Sequence, residues 1–275
     1  GTILHEIAHS FGLGHTQMRS DRDFYVTINY KNLKPGAEKN YDKISTNDNF
    51  GVEYDYSSVM HYRGLDYAAN EKIPVITAKD PYAQQSMGQR EKAAFSDIKM
   101  VNLFYNCAQK CPSPSVKCQN GGIINSKTCN TCICPHMFTG PDCSQRTPSR
   151  GKYGTPTCGA DLTVTSASQN VVGIFGDPKD KYGENGGETA CYWNFKVCTG
   201  RKIEIRVNRV ANMWCNSECD WSRIEFFTKG FGNGGYRFCC DEPNGKVFQS
   251  SDNGVSIKLT ASYINPLFDV DYRLI

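Results

Sequence analysis

Fourteen cysteines lie between Cys107 and Cys240, while residues 1–106 contain none. That usage implies an oxidising compartment, hence a secreted or lumenal protein, and its abrupt onset marks a change of architecture near residue 107. The densest stretch, 111–143, holds Cys111, Cys118, Cys129, Cys132, Cys134 and Cys143. So little chain cannot bury a sufficient core of its own and needs covalent staples. With 275 residues in all, the chain has room for two or three domains of about 100–150 residues each.

Charge and hydropathy exclude several classes. Lys plus Arg is 31 against 28 for Asp plus Glu, a net charge of +3. That is too even for the electrostatic footprint of a nucleic-acid or membrane-surface binder. No apolar run approaches the roughly 18 residues of a membrane-spanning helix. The chain opens on Gly1 without an initiator Met, basic n-region or apolar h-region, and reads as a fragment whose upstream part is missing.

Residues 1–11 place Ile3 or Leu4, Ile7 or Ala8, and Phe11 at helical spacing, with Gly12 as the stop. Residues 23–29 alternate and predict a strand. Residues 34–49 are polar and turn-rich. A second helix is expected over 92–105, with Ser96 and Asp97 near its start. The polar, Pro- and Gly-bearing stretch 146–157 reads as a linker. Beyond it, the runs 202–207, 223–227, 236–240, 255–259 and 269–275 alternate between turn residues, the pattern of an antiparallel β-sandwich.

Chemistry concentrates at the beginning. His5, Glu6, His9, Gly12 and His15 fit H-E-x-x-H-x-x-G-x-x-H. Residues i and i+4 share a helix face, so His5 and His9 can offer nitrogens to one ion. Gly12 allows a sharp exit with positive φ that swings in His15 as third ligand. Three neutral imidazoles leave zinc an open position for water, whose pKa falls to about 7. Glu6 can take that proton and pass it to a leaving amine. The plainer alternative is an amphipathic helix with surface histidines. Three of the chain's five histidines falling within eleven residues argues against it.

Ser58-Val59-Met60-His61-Tyr62 follows, and with it the chain resembles the astacin family of zinc metalloproteases. The resemblance extends over 21–30 and 87–107. It implies a Met-turn in which Met60 floors the three imidazoles and Tyr62 adds a fifth, displaceable zinc contact. That phenol would donate a hydrogen bond to the oxyanion. His61 is expected to be structural. Arg90 would wall the S1′ pocket and favour acidic residues, unless it is merely solvated beside Glu91. One position departs from the family: Thr16 stands where astacins carry a glutamate that meets a buried N-terminus.

Residues 111–145 resemble an EGF-like module. The resemblance implies the pairs Cys111–Cys129, Cys118–Cys132 and Cys134–Cys143. Zinc binding by Cys129-x-x-Cys132 is the rival reading. Residues 158–275 resemble a CUB domain, which implies Cys158–Cys191 and pairs Cys215 and Cys219 with Cys239 and Cys240 in either order. Many CUB domains hold calcium through an Asp where this chain has Ser222, so no calcium is expected. Residues 230–235 match G-x-G-x-x-G but lie between two strand patterns, which reads as a hairpin turn and not a dinucleotide loop.

The resulting expectation is a multidomain α+β protein. Residues 1–110 would form the C-terminal half of a metzincin catalytic domain, 111–145 the EGF-like module, 146–157 the linker and 158–275 the CUB β-sandwich. Its implied function is that of a secreted, extracellular metalloendopeptidase with one Zn2+, cutting peptide bonds of protein or peptide substrates. The CUB and EGF-like parts would bind matrix or protein partners, with no nucleic acid and no membrane span. The alternative is a non-catalytic extracellular interaction protein, because half the catalytic domain is lacking. Counting leaves Cys107 and Cys198 over. Cys107 is expected to be unpaired, and residues 1–106 as they stand are expected to bind zinc weakly.

Overall fold

The computed structural model describes residues 1–45, 49–150, 158–174, 189–197, 200–216, 219, 221–240, 243–251, 254–261 and 266–275. These form two compact units, Gly1–Ser113 and Pro114–Ile275.

In the first unit, helix α1 spans Thr2–Ser10 and buries His5 and Ala8. Its apolar stripe faces outward: Ile3 is 77% exposed, and Leu4, Ile7 and Phe11 are 41–46% exposed. The helix ends as its glycine predicts. Gly12 takes φ +88°, its N–H bonds the His9 carbonyl, and the Leu13 N–H bonds the Ala8 carbonyl. The strand expected over 23–29 shrinks to β1, Val26–Ile28, because Arg22–Phe24 close into a 3-10 turn. Strand β1 pairs antiparallel with β2, Ile76–Ala78. Helix α2, Phe95–Phe104, starts where its Asp97 side chain caps the Ala94 N–H at 2.8 Å. Turns supply much of the remainder, around a core that includes Tyr41, Val59, Met60, Val75 and Ile76.

The second unit begins with two minimal ladders. Strand β3 (Ile123–Ile124) pairs with β4 (Cys132–Ile133), and β5 (Phe138–Thr139) with β6 (Gln145–Arg146). Disulfides Cys118–Cys132 and Cys134–Cys143 tie them, and Cys111 and Cys129 are each disulfide-bonded as well. Nine further strands follow: β7 Ala160–Thr163, β8 Gln169–Ile174, β9 Thr189–Lys196, β10 Ile203–Ala211, β11 Ser222–Phe227, β12 Tyr236–Phe238, β13 Val247–Gln249, β14 Gly254–Ala261 and β15 Leu267–Leu274. They form one sheet ordered β13-β10-β15-β8 and another ordered β12-β11-β14-β9-β7. The sheets face one another through Trp193 on Phe268, Phe195 on Tyr272, and Phe226 on Phe248, ring centroids 4.7–4.9 Å apart. One pairing departs from the antiparallel expectation: β7 runs parallel to β9.

Cysteine order, open in the sequence, is Cys215–Cys240 and Cys219–Cys239, beside Cys158–Cys191. Among the described residues Cys107 carries a free thiol; Cys198 lies outside them. The glycine-rich 230–235 turn joins β11 to β12 as an antiparallel hairpin.

The linker expectation needs correction over its described part. Arg146 belongs to β6 and donates to the Tyr192 carbonyl at 3.1 Å. Ser149 Oγ donates to the Cys158 carbonyl, and Arg150 exchanges both backbone hydrogen bonds with Ala190. Met137, Phe138, Cys143, Ala190, Tyr192 and Phe227 share one buried cluster. Proline and glycine announce irregular backbone, but they do not announce detachment. Residues 151–157 lie outside the described set.

The five-stranded sheet is covered on its second face as well. Glu225, buried there, lies 3.1–3.3 Å from Arg223, Arg237 and Lys258, all three buried.

Candidate active site

The three motif histidines converge. Their Nε2 atoms lie 3.1–3.2 Å from one another, and among the described residues they form the one group of His, Cys, Asp or Glu with metal-ligand spacing. His5 Nδ1 lies 2.7 Å from the Val59 carbonyl, and His9 Nδ1 2.8 Å from the Leu13 carbonyl. A carbonyl only accepts, so each of these Nδ1 atoms carries the proton and each Nε2 presents a bare lone pair. Burial lowers the pKa of His5 and brings that of His15 to about 4, so both are neutral near pH 7, as ligands must be. Bare lone pairs at this spacing repel one another unless a cation sits between them. Tetrahedral zinc with nitrogens at about 2.0–2.1 Å asks for a separation of about 3.3 Å, close to what the imidazoles adopt. The residues fit zinc.

Glu6 follows the first of these histidines on α1 and is exposed; its charge is felt at His5 and at Arg90. Tyr62 is 8% exposed, and its ring is tilted against His15 with centroids 4.4 Å apart. Burial and the neighbouring Tyr67 phenol push its pKa up to about 12. Met60 is buried with Ala8 and Val59, against Leu13 and Ala93. His61 stands apart from the cluster. Its Nδ1–H donates to the Tyr62 carbonyl at 2.7 Å, so its Nε2 accepts from the Tyr54 hydroxyl at 2.7 Å. Arg90 is half-buried and donates to the His61 and Gln89 carbonyls.

Sequence reasoning missed the support beneath. Thr16 is buried and donates to Ser58 Oγ at 3.0 Å. Ser58 in turn donates to Asp97 on α2 at 2.6 Å, and the Val59 N–H bonds the other oxygen of that carboxylate at 3.0 Å. Desolvation raises the Asp97 pKa to about 6 despite these donors. In sequence Asp97 announces only a helix start; its burial and its distant partners leave no local signal. Thr16, Ser58 and Asp97 also border a cavity of about 410 Å³ that His9 and Met60 line.

Known proteins resemble this chain along its whole length. The sequence model of the astacin peptidase family matches residues 1–106. Zinc metalloproteinase nas-28 of Caenorhabditis elegans is 37% identical over 280 aligned residues, covering 100% of this chain and 55% of the relative. Zinc metalloproteinase nas-27 of the same organism is 32% identical, covering 99% of this chain and 66% of the relative. Among solved structures, high choriolytic enzyme 1, a hatching enzyme zinc-protease from Oryzias latipes, is 40% identical over 37% of this chain and 50% of that one, at a TM-score of 0.35. The chain thus spans somewhat more than half the length of the first relatives it matches. Through residues 1–106, which carry the histidine cluster and the Tyr62 loop, the chain belongs to the astacin family of peptidases.

Proposed function

We propose that this chain carries the metal-binding part of a secreted zinc metalloendopeptidase that hydrolyses peptide bonds of extracellular proteins. The observation that carries this reading is the convergence of three imidazole Nε2 atoms within 3.2 Å of one another. His5, His9 and His15 would hold the ion, with Tyr62 as a displaceable further contact. When bound, zinc lowers the pKa of water to about 7 and polarises a carbonyl. Glu6 takes the proton of the attacking water and returns it to the leaving amine. Tyr62, kept neutral by its raised pKa, donates a hydrogen bond to the substrate oxygen as that oxygen takes up charge. Met60 serves as an apolar floor, and Arg90 favours an acidic residue just after the scissile bond.

The disulfide-rich 111–145 stretch and the paired sheets of 158–275 are read as EGF-like and CUB modules that bind protein or matrix partners. Secretion is supported by the twelve described cysteines that are disulfide-bonded, which a reducing compartment would not maintain. The test is metal analysis beside peptide cleavage with Glu6→Gln. In the full-length enzyme this variant should retain stoichiometric zinc and lose about 100-fold or more in kcat. Near-wild-type turnover would remove Glu6 from the chemistry, and a chain that takes up no zinc would remove the whole reading.

A further inference from the structure

We propose that one buried carboxylate, Asp97 of α2, positions two of the three imidazoles through two separate hydrogen-bond paths. The inference rests on the zinc reading above. The first path runs through the backbone of one residue: the Val59 N–H donates to Asp97 Oδ2 at 3.0 Å, and the Val59 carbonyl, in the next peptide group, accepts the Nδ1–H of His5 at 2.7 Å. The second runs through hydroxyls. Ser58 Oγ donates to Asp97 Oδ1 at 2.6 Å and accepts from both the Met60 N–H and Thr16 Oγ1 at 3.0 Å. A hydroxyl has one proton and two lone pairs, so Ser58 is saturated and every direction in the path is determined. With the only Ser58 proton committed to Asp97, Thr16 has to donate. That donation, together with the Thr16 N–H to the Met60 carbonyl at 3.1 Å, pins the residue adjoining His15.

His9 needs no such support, because its Nδ1 acceptor, Leu13, lies four residues away on the same turn. His5 and His15 find none so close. Their orientation is borrowed from α2, and Asp97 is itself held there by the Ala94 N–H at 2.8 Å. Asp97 is a positioning residue: it reaches neither zinc nor substrate, and it sets which nitrogen of His5 is bare and where the His15 segment sits. Outer partners of this kind change metal affinity about 10–100-fold when removed. Asp55 provides the internal comparison. It is also a buried carboxylate, bonded to Ser57 and to Ser96 of α2, and these bonds do not reach the Val59 peptide.

The experiment uses the full chain. Zinc affinity is measured by competition with a chromophoric chelator, and the His5 tautomer by long-range 1H–15N correlation in the metal-free chain. Asp97→Asn should weaken zinc binding about 10–100-fold and populate the Nε2–H form of His5. Thr16→Val should weaken binding severalfold and leave the His5 tautomer intact. Asp55→Asn should lower thermal stability while zinc affinity stays within about twofold. Asp97→Asn binding zinc like wild type would overturn the proposal. So would an Asp55→Asn loss of affinity equal to that of Asp97→Asn. Should Asp97→Asn fail to fold, unchanged affinity in both Thr16→Val and Ser58→Ala would overturn it equally. A wild-type chain that binds no zinc would sink the functional reading instead; the His5 tautomer in the metal-free chains would still decide the relay.

Discussion

His9 gives its Nδ1 proton to the carbonyl of Leu13 at 2.8 Å, and this bond exists because Gly12, between them, turns back with φ +88°. A Cβ at Gly12 would meet only Phe104 ring atoms at 3.6–3.7 Å, so space is not the obstacle. Backbone strain is. Gly12→Ala should cost about 1–3 kcal/mol through the left-handed conformation and should loosen the Leu13 acceptor. Calorimetry and chelator competition should show lower thermal stability together with weaker zinc binding. An unchanged zinc affinity would mean that His9 is oriented without Leu13.

Tyr62 should divide binding from turnover. With three histidines left, Tyr62→Phe should keep zinc affinity within about twofold and lower kcat more than it raises KM. A higher KM at constant kcat would assign the phenol to substrate binding instead.

Acid should destabilise the metal-free first unit. Burial holds His61, 0% exposed, at about 4, and lowers His15 likewise. Between pH 4 and pH 6.5 the unfolded chain binds protons that these folded imidazoles refuse, so stability rises with pH across that window. Asp97, raised to about 6, works against this, since the folded state holds its proton longer. Two imidazoles outweigh one carboxyl. His61 alone contributes on the order of 3 kcal/mol. Denaturant titrations at pH 4.5 and 7, followed by tyrosine circular dichroism, should show the loss on acidification, and His61→Gln should flatten it. A stability independent of pH in wild type would contradict the burial of His61.

The second unit should depend on Glu225. Removing its charge leaves Arg223, Arg237 and Lys258 crowded in a buried site, and breaking such a group costs about 3–5 kcal/mol. All three tryptophans, Trp193, Trp214 and Trp221, belong to this unit. Their emission during unfolding should therefore report a lower midpoint for Glu225→Gln. An unshifted midpoint would show that the three cations are balanced without Glu225.

How much of this was legible beforehand depended on range. The histidine motif is local: His5, His9, Gly12 and His15 answer to helical periodicity and one glycine, so the cluster was readable from spacing alone. Helix α2 was readable too. Asp97 was legible as a helix start and not as a support, because its partners Ser58 and Val59 lie 38–39 residues away and nothing in the pattern announces its burial. Apolar spacing found α1 but did not say which residues are buried, and these are a histidine and an alanine. On the sheets, alternation located β10, β11, β12, β14 and β15 and left β7, β8, β9 and β13 unread. It could not reveal that Arg223, Glu225 and Lys258, on the face that alternation assigns to solvent, are covered.

The cluster of Met137, Phe138, Tyr192 and Phe227 has a consequence for protein engineering. A graft that transplanted the small disulfide-rich piece alone would carry Met137 and Phe138 into water and strip Tyr192 and Phe227 of their cover. A graft of the paired sheets alone would do the reverse and also break the Arg150–Ala190 exchange. Residues 111–275, which keep every described disulfide-bonded cysteine together, should therefore be moved as a single cassette with no cut within.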